Sequence, residues 1–296
     1  MTPPTARKTR LGILLMIATT FIFSMQDGLS RHLAEATNPV MVVTIRYWFF
    51  ALFVIALSAS RPGGVRAVAR TRQPVLQIFR GVLLVVEVVV TVWAFTLLGL
   101  VEAHAIFAAY PLMVAALSGP VLGERIGWRR WTAIGAGFVG VLVILRPGFQ
   151  AVSLGTLVAL VAALMFAVYG LLTRYAARQD SAATSFFYTG VAGAAAITLS
   201  VPWYWDPMQS AADWAMMGAL CLSGALGHFL FIKAYDLAEA GDIQPFAYFQ
   251  LFFASAVGVL VFGDTIDPVS AAGAAIILAS GLYTLWRARI RARQGG

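Results

Sequence analysis

Ten apolar runs, each near the length that crosses a bilayer, take up almost all of this 296-residue chain. They lie at roughly 11–30, 40–59, 76–98, 103–122, 128–146, 154–174, 184–201, 213–235, 243–262 and 268–287. A membrane helix needs about 20 apolar residues, whereas a barrel strand needs about 10 in a polar–apolar alternation that these runs lack. Composition agrees, with 60% hydrophobic and 11% charged residues, where soluble domains carry about 25% charged. The expected fold is an all-α integral membrane protein of ten transmembrane helices. The short connections leave no room for a soluble catalytic domain, so any site must lie between helices. The basic start MTPPTARKTR followed by an apolar run looks like a signal peptide. The run is too long and lacks a small-residue cleavage site, so it reads as an uncleaved first helix.

The net charge of +8 finds its first explanation in retention of Lys and Arg on the cytoplasmic side, ahead of any nucleic-acid partner. With the N-terminus inside, the inner segments hold 17 of the 21 basic residues, from Arg7, Lys8 and Arg10 through Arg125, Arg129 and Arg130 to the Arg287–Arg293 tail. The outer connections keep only Arg31 and Arg146, and Arg46 and Arg80 fall in or beside spans. Both termini are expected in the cytoplasm, with the tail as a topology anchor at the lipid surface.

The chain also repeats itself. An offset of 143 aligns Leu11, Gly12, Leu14, Phe23, Leu29 and Arg31 with Leu154, Gly155, Leu157, Phe166, Leu172 and Arg174, and VEAHAI and LGERI return in order as AEAGDI and FGDTI. Each half holds five spans, an odd number, so residues 1–148 and 149–296 are expected to be inverted repeats. That architecture belongs to secondary transporters, which expose a midplane site alternately to each side.

The residues in YPLMVAALSGPVLGERIGWRRWTAIGAGFVGVLVILRPG (110–148), SMQDGLSRHL (24–33) and TIRYWFF (44–50) resemble the drug/metabolite transporter superfamily, in its ten-helix EamA-type branch. The resemblance runs the length of the chain and implies transport of small metabolites without ATP, in a bacterial inner membrane. Within the branch the sequence is most similar to exporters of amino acids, aromatic ones included. A central cavity formed mainly by the third, fourth, eighth and ninth spans follows from the same resemblance. The second half departs from the pattern: in AYFQLFFASAVGVLVFGD, Leu251 or its neighbour stands where relatives have a mid-helix Pro, and Asp264 stands for the Glu.

Other chemistries lack their residues. The two lysines, Lys8 and Lys233, follow Arg7 and Ile232, so no phosphate-cradling GxxxxGK[ST] loop exists. There is no GxSxG, and Asp264 with Asp267 makes a single DxxD. One cysteine, Cys221, and the scattered His32, His104 and His228 offer no metal-ligand spacing. Neither metal nor cofactor is expected, nor a catalytic residue. Efflux of drug-like cations, with Glu87 as counter-charge, and an intramembrane enzyme acting on a lipid or peptide are the alternatives.

Buried polar residues mark the candidate site, since a charge at the bilayer centre costs about 2.5–3.5 kcal/mol on insertion scales. Glu87, mid-way along the third span, either lines the path, binding an ammonium group or carrying a proton, or makes a structural pair. Asp27 and Arg46 lie at similar depth and are expected to form a structural ion pair. Gln26 and its repeat partner Tyr169 are placed on a cavity, as are Trp93, Tyr110, His228, Gln244, Tyr248 and Gln250. Pro111 and Pro245 are expected to kink the fourth and ninth spans. Small faces on AIGAGFVGV (133–141) and AAGAAIILASG (271–281) are expected to pack the fifth span on the tenth, within a monomer or across a homodimer. The expected partners are a small-molecule substrate and the lipid bilayer.

Overall fold

The computed structural model describes residues 6–123, 127–145, 153–208 and 210–294; Glu124, Arg125 and Arg146, used in the repeat and charge arguments, lie outside them. Among the described residues there is no strand. The helices are α1 (Ala6–Ala36), α2 (Pro39–Ala59), α3 (Gly64–Ala69), α4 (Pro74–Phe107), α5 (Tyr110–Leu122), α6 (Trp128–Leu145) and α7 (Leu154–Ala176). They continue with α8 (Ala182–Thr198), α9 (Val201–Tyr204), α10 (Ala211–Leu237), α11 (Ala240–Ala247), α12 (Phe249–Val257), a π-helical turn (Gly258–Phe262) and α13 (Pro268–Gln294). Six helical stretches are long and apolar enough to cross a membrane: Arg7–Ala36, Pro39–Ala59, Pro74–Phe107, Leu154–Ala176, Ala211–Leu237 and the composite Ala240–Phe262. Tyr110–Leu122, Trp131–Leu145 and Pro268–Tyr283 are shorter apolar helices.

Local chemistry sets many of the boundaries. Asn38 opens α2 by accepting the Met41 N–H at 2.8 Å, with Pro39 next in line, and Ser153, Ser181 and Ser210 cap α7, α8 and α10 in the same way. Each cap satisfies an N–H that the first turn leaves without a partner. In the spans themselves, Thr19, Ser24, Thr44 and Ser58 return their hydroxyls to the carbonyl four residues back, which meets their hydrogen-bonding need without water.

The third and fourth apolar runs join in a single element, α4, broken at Gly99, whose φ of 75° and ψ of 175° lie outside the helical region. Only glycine adopts such a backbone at low cost. A second interruption, at Ala108 and Ala109, precedes Pro111, the second residue of α5. In the ninth run Pro245 lies inside α11, which ends at Tyr248 before α12 begins. The fourth and ninth runs are thus both discontinuous, as in transporters that build sites on broken helices.

In the bundle α1 packs along α10, α4 along α7 and α8, α2 on α8, and α6 on α13. The α6–α13 contact lies within one chain and uses the two small faces: a Cβ on either Gly140 or Gly273 would sit 2.6 Å from the other's carbonyl oxygen.

Candidate functional site

Neighbouring residues on a helix project about 100° apart, and this decides what Gln26 and Asp27 do. Gln26 Oε1 accepts from Arg46 Nη2 of α2 at 3.1 Å. Asp27 turns instead toward α4 and α12, where Oδ2 meets His104 Nε2 at 3.1 Å and accepts from Gln250 Nε2 at 3.3 Å. The expected Asp27–Arg46 ion pair is therefore not formed. Arg46 Nη2 goes to His228 Nε2 at 3.3 Å as well. A guanidinium can only donate, so His228 accepts through Nε2 and is neutral with its proton on Nδ1. His104 Nδ1 lies 2.9 Å from the Leu100 carbonyl and must donate to it, so a single proton is shared between His104 Nε2 and Asp27. Glu87 on α4 accepts from Thr91 one turn on at 2.6 Å.

These groups line one cavity. Gln26, Asp27, Arg46, Glu87, His104, His228 and Gln250 supply its polar lining, and Phe23, Phe107 and Phe166 its aromatic wall. The polar residues are all buried, and the space is ≈ 30 Å³, room for a water or two, since about 10–15 Å³ holds one. The cavity draws on α4, α10 and α12 as expected, on α1 as expected through Gln26, on α7 through Phe166 in place of the expected Tyr169, and on α2 through Arg46. Two buried polar atoms in its lining residues, His228 Nδ1 and Gln250 Oε1, have no partner.

Other expected site residues lie elsewhere. Trp93 is 42% exposed on the outside of the bundle; it follows Thr91 by two residues, about 200° around the helix, and so faces away from the cavity. Tyr110 packs between Phe107 and Phe166, with ring centroids 5.1 and 5.0 Å away. Tyr169 stacks on Phe231 at 5.7 Å, Gln244 donates to the Tyr235 hydroxyl, and Tyr248 rests against Gly281. All four are buried but do not line this cavity. His104, Thr91 and the three phenylalanines are lining residues that the sequence reading passed over. No sequence signal marked His104, because the glycine break before it shows only in the folded chain.

Two polar networks close the ends of the bundle. Toward the N-terminal end of α4, the fully buried Arg80 donates to Gln77, Thr173, Tyr169 and Thr189 and lies over the Tyr169 ring. Gln77 passes the chain on to Asp180 at 2.9 Å, which also accepts from Thr71 and the Arg72 N–H. Burial acts to raise the Asp180 pKa, but these hydrogen bonds to its charged form outweigh it and hold the carboxyl below its ordinary value. At the opposite end, Arg31 Nη1 donates to both Asp264 oxygens at 2.7 and 2.9 Å, and its guanidinium lies 4.4 Å over Phe262. Asp264 in turn accepts the Leu100 and Val101 N–H groups at 2.8 and 3.3 Å, capping the helix that restarts after Gly99. Arg31, expected on an outer surface, is thus an ion-pair partner joining the two halves of the chain.

The model of the EamA-like transporter family matches residues 10–146 and 153–286. The chain belongs to that family. Among curated relatives of this EamA-like protein, the S-adenosylmethionine uptake transporter of Rickettsia prowazekii is 24% identical over 95% of both chains. The riboflavin transporter of Vibrio cholerae is 27% identical over 96% of each, and the pseudopaline exporter of Pseudomonas aeruginosa 25% identical over 90% of this chain and 93% of its own. A crystal structure with 17% identity shares the fold, with a TM-score of 0.71 over 94% of this chain and 98% of the other.

Proposed function

We propose that this EamA-like protein is a secondary carrier for small zwitterionic metabolites, amino acids and molecules with an amino-acid head on an aromatic or apolar body. The observation that carries this reading is the cavity itself: two carboxyl groups, Asp27 and Glu87, and one guanidinium, Arg46, face a single buried space beside three phenyl rings. A zwitterion brings both charges that such a lining complements, and the rings suit an apolar body. The partnerless His228 Nδ1 and Gln250 Oε1 add a donor and an acceptor, each costing about 1–3 kcal/mol while unsatisfied. Among the relatives' cargoes, S-adenosylmethionine joins an amino-acid head to a purine and riboflavin is a fused aromatic ring, which supports a class wider than the protein amino acids.

In this reading the chain crosses a bacterial inner membrane ten times, as inverted halves 1–148 and 149–296 with both termini in the cytoplasm. Supporting it, one family model matches a stretch in each half, and α1 lies along α10 as α7 lies along α4, the pairing a two-fold axis in the membrane plane would produce. The α6–α13 contact needs no second copy, so a monomer suffices. Alternating access runs either way, and the gradient on the cargo sets net export or uptake.

The test is uptake of a labelled panel, aromatic and aliphatic amino acids together with S-adenosylmethionine and riboflavin, into proteoliposomes. Saturable, protein-dependent uptake of amino-acid-headed members is expected, and saturable uptake of riboflavin alone would contradict the zwitterion class.

A further inference from the structure

We propose that Arg46 is the specificity-determining residue for a carboxylate on the cargo, with His228 and Gly224 as the residues that position its guanidinium; this rests on the transport reading above. Arg46 is buried, and among the described residues no carboxylate hydrogen-bonds to it or lies within ion-pair distance. Its two partners, Gln26 and His228, are both neutral and both engage the one nitrogen Nη2. The Nε and Nη1 donors carry no bond. A guanidinium stays protonated, so the fold holds an unpaired positive charge at a depth where a charge costs several kcal/mol without a partner.

The acids of the same cavity make no hydrogen bond to it: Asp27 Oδ2 meets His104 and Gln250, and Glu87 Oε1 accepts from Thr91. What the open Nη1 lacks is an anionic acceptor, to which a charge-assisted hydrogen bond is shorter and stronger than to a neutral one. A cargo carboxylate supplies it, and the cargo ammonium is left to the Asp27 and Glu87 side of the cavity.

The surroundings hold the guanidinium in place. The His228 ring stacks on Phe50, 6.1 Å between centroids and 12° between planes, and lies 5.1 Å from Phe23, so its accepting Nε2 is fixed. On the same helix, a Cβ at Gly224 would stand 2.6 Å from Arg46 Nε. A larger residue there displaces the guanidinium without touching its charge.

The experiment competes uptake of a labelled amino acid, taken from the panel that the wild type carries, with the unlabelled acid and with its carboxamide. Wild type is expected to prefer the acid at least about tenfold, the worth of one good charge-assisted contact. Arg46→Gln is expected to bring the acid-to-amide ratio near one, Arg46→Lys to retain part of it, and Gly224→Ala and His228→Ala to lower it with Arg46 still present. The ratio is internal to each preparation, so a merely structural loss of active protein does not move it. An unchanged ratio in Arg46→Gln and Gly224→Ala, whatever the fall in total uptake, overturns the proposal and leaves the carrier reading intact. A wild type that takes up no amino-acid-headed member of the panel overturns that reading, and this one with it.

Discussion

At the scale of single residues, direction around a helix decides function more than residue type does. Glu87 and Trp93 share one helix, yet only Glu87 meets the cavity. Glu87→Gln keeps the shape and removes the ionisable carboxyl; it is expected to lower low-substrate uptake of zwitterions about tenfold, the worth of one hydrogen bond to a charged cargo group. Trp93→Ala, on the lipid-facing side, should change uptake by less than about twofold, since substitutions away from a site and a core have small effects. Arg80→Leu strands the oxygens of Gln77, Tyr169, Thr173 and Thr189 and should cost about 3 kcal/mol or more in an unfolding titration in detergent. Asp180 gives a signed pH test. Its folded pKa lies below the unfolded value of 3.8, so its contribution is full above that value and is lost as pH falls through the folded one. Thermal stability should drop on that acid limb, and Asp180→Asn should flatten it. Residue types were legible in the sequence: Gln26, Glu87, His228 and Gln250 were found because polar groups are rare in apolar runs. Pairing was not, because whether Asp27 meets Arg46 or His104 depends on the azimuth of three helices at once.

Among elements, the break at Gly99 carries the most consequence. Leu100, the first residue of the restarted helix, gives its N–H to Asp264 and takes a hydrogen bond from His104 on its carbonyl. The Arg31–Asp264 and Asp27–His104 pairs therefore meet at one residue, and the proposed carrier is expected to part Arg31 from Asp264 when that end of the bundle opens. Asp264→Asn in a Cys221→Ser, Val92→Cys background is expected to speed labelling of the cavity cysteine by an impermeant thiol reagent about tenfold from that face, as a charge-assisted contact of 1.5–3 kcal/mol is lost; an unchanged rate would mean that the closure lies elsewhere. The sequence located the broken fourth and ninth runs through Pro111 and Pro245, but the Gly99 turn went unread because a lone glycine in an apolar run signals nothing without its capping partner Asp264, 165 positions on.

The all-helical, membrane-spanning character of the molecule was legible in its apolar runs because the hydrocarbon core imposes both their length and their internal hydrogen bonding; six of the helical stretches reach membrane-spanning length. The packing of α6 on α13 was readable for a related reason, since small residues such as Gly140 and Gly273 are what allow close approach. The cavity was less so: the resemblance pointed to four spans, whereas α1, α2 and α7 also contribute through Asp27, Arg46 and Phe166, and lining is a property of the assembled bundle. At ≈ 30 Å³ that cavity is far too small for any cargo proposed for it, so the proposed carrier must open it to each side in turn. Counterflow measures this directly. Proteoliposomes loaded with an unlabelled cargo should take up the labelled cargo transiently above its equilibrium level, and empty ones should not; equal, non-saturable entry in both would contradict an alternating carrier and point to a channel or a leak.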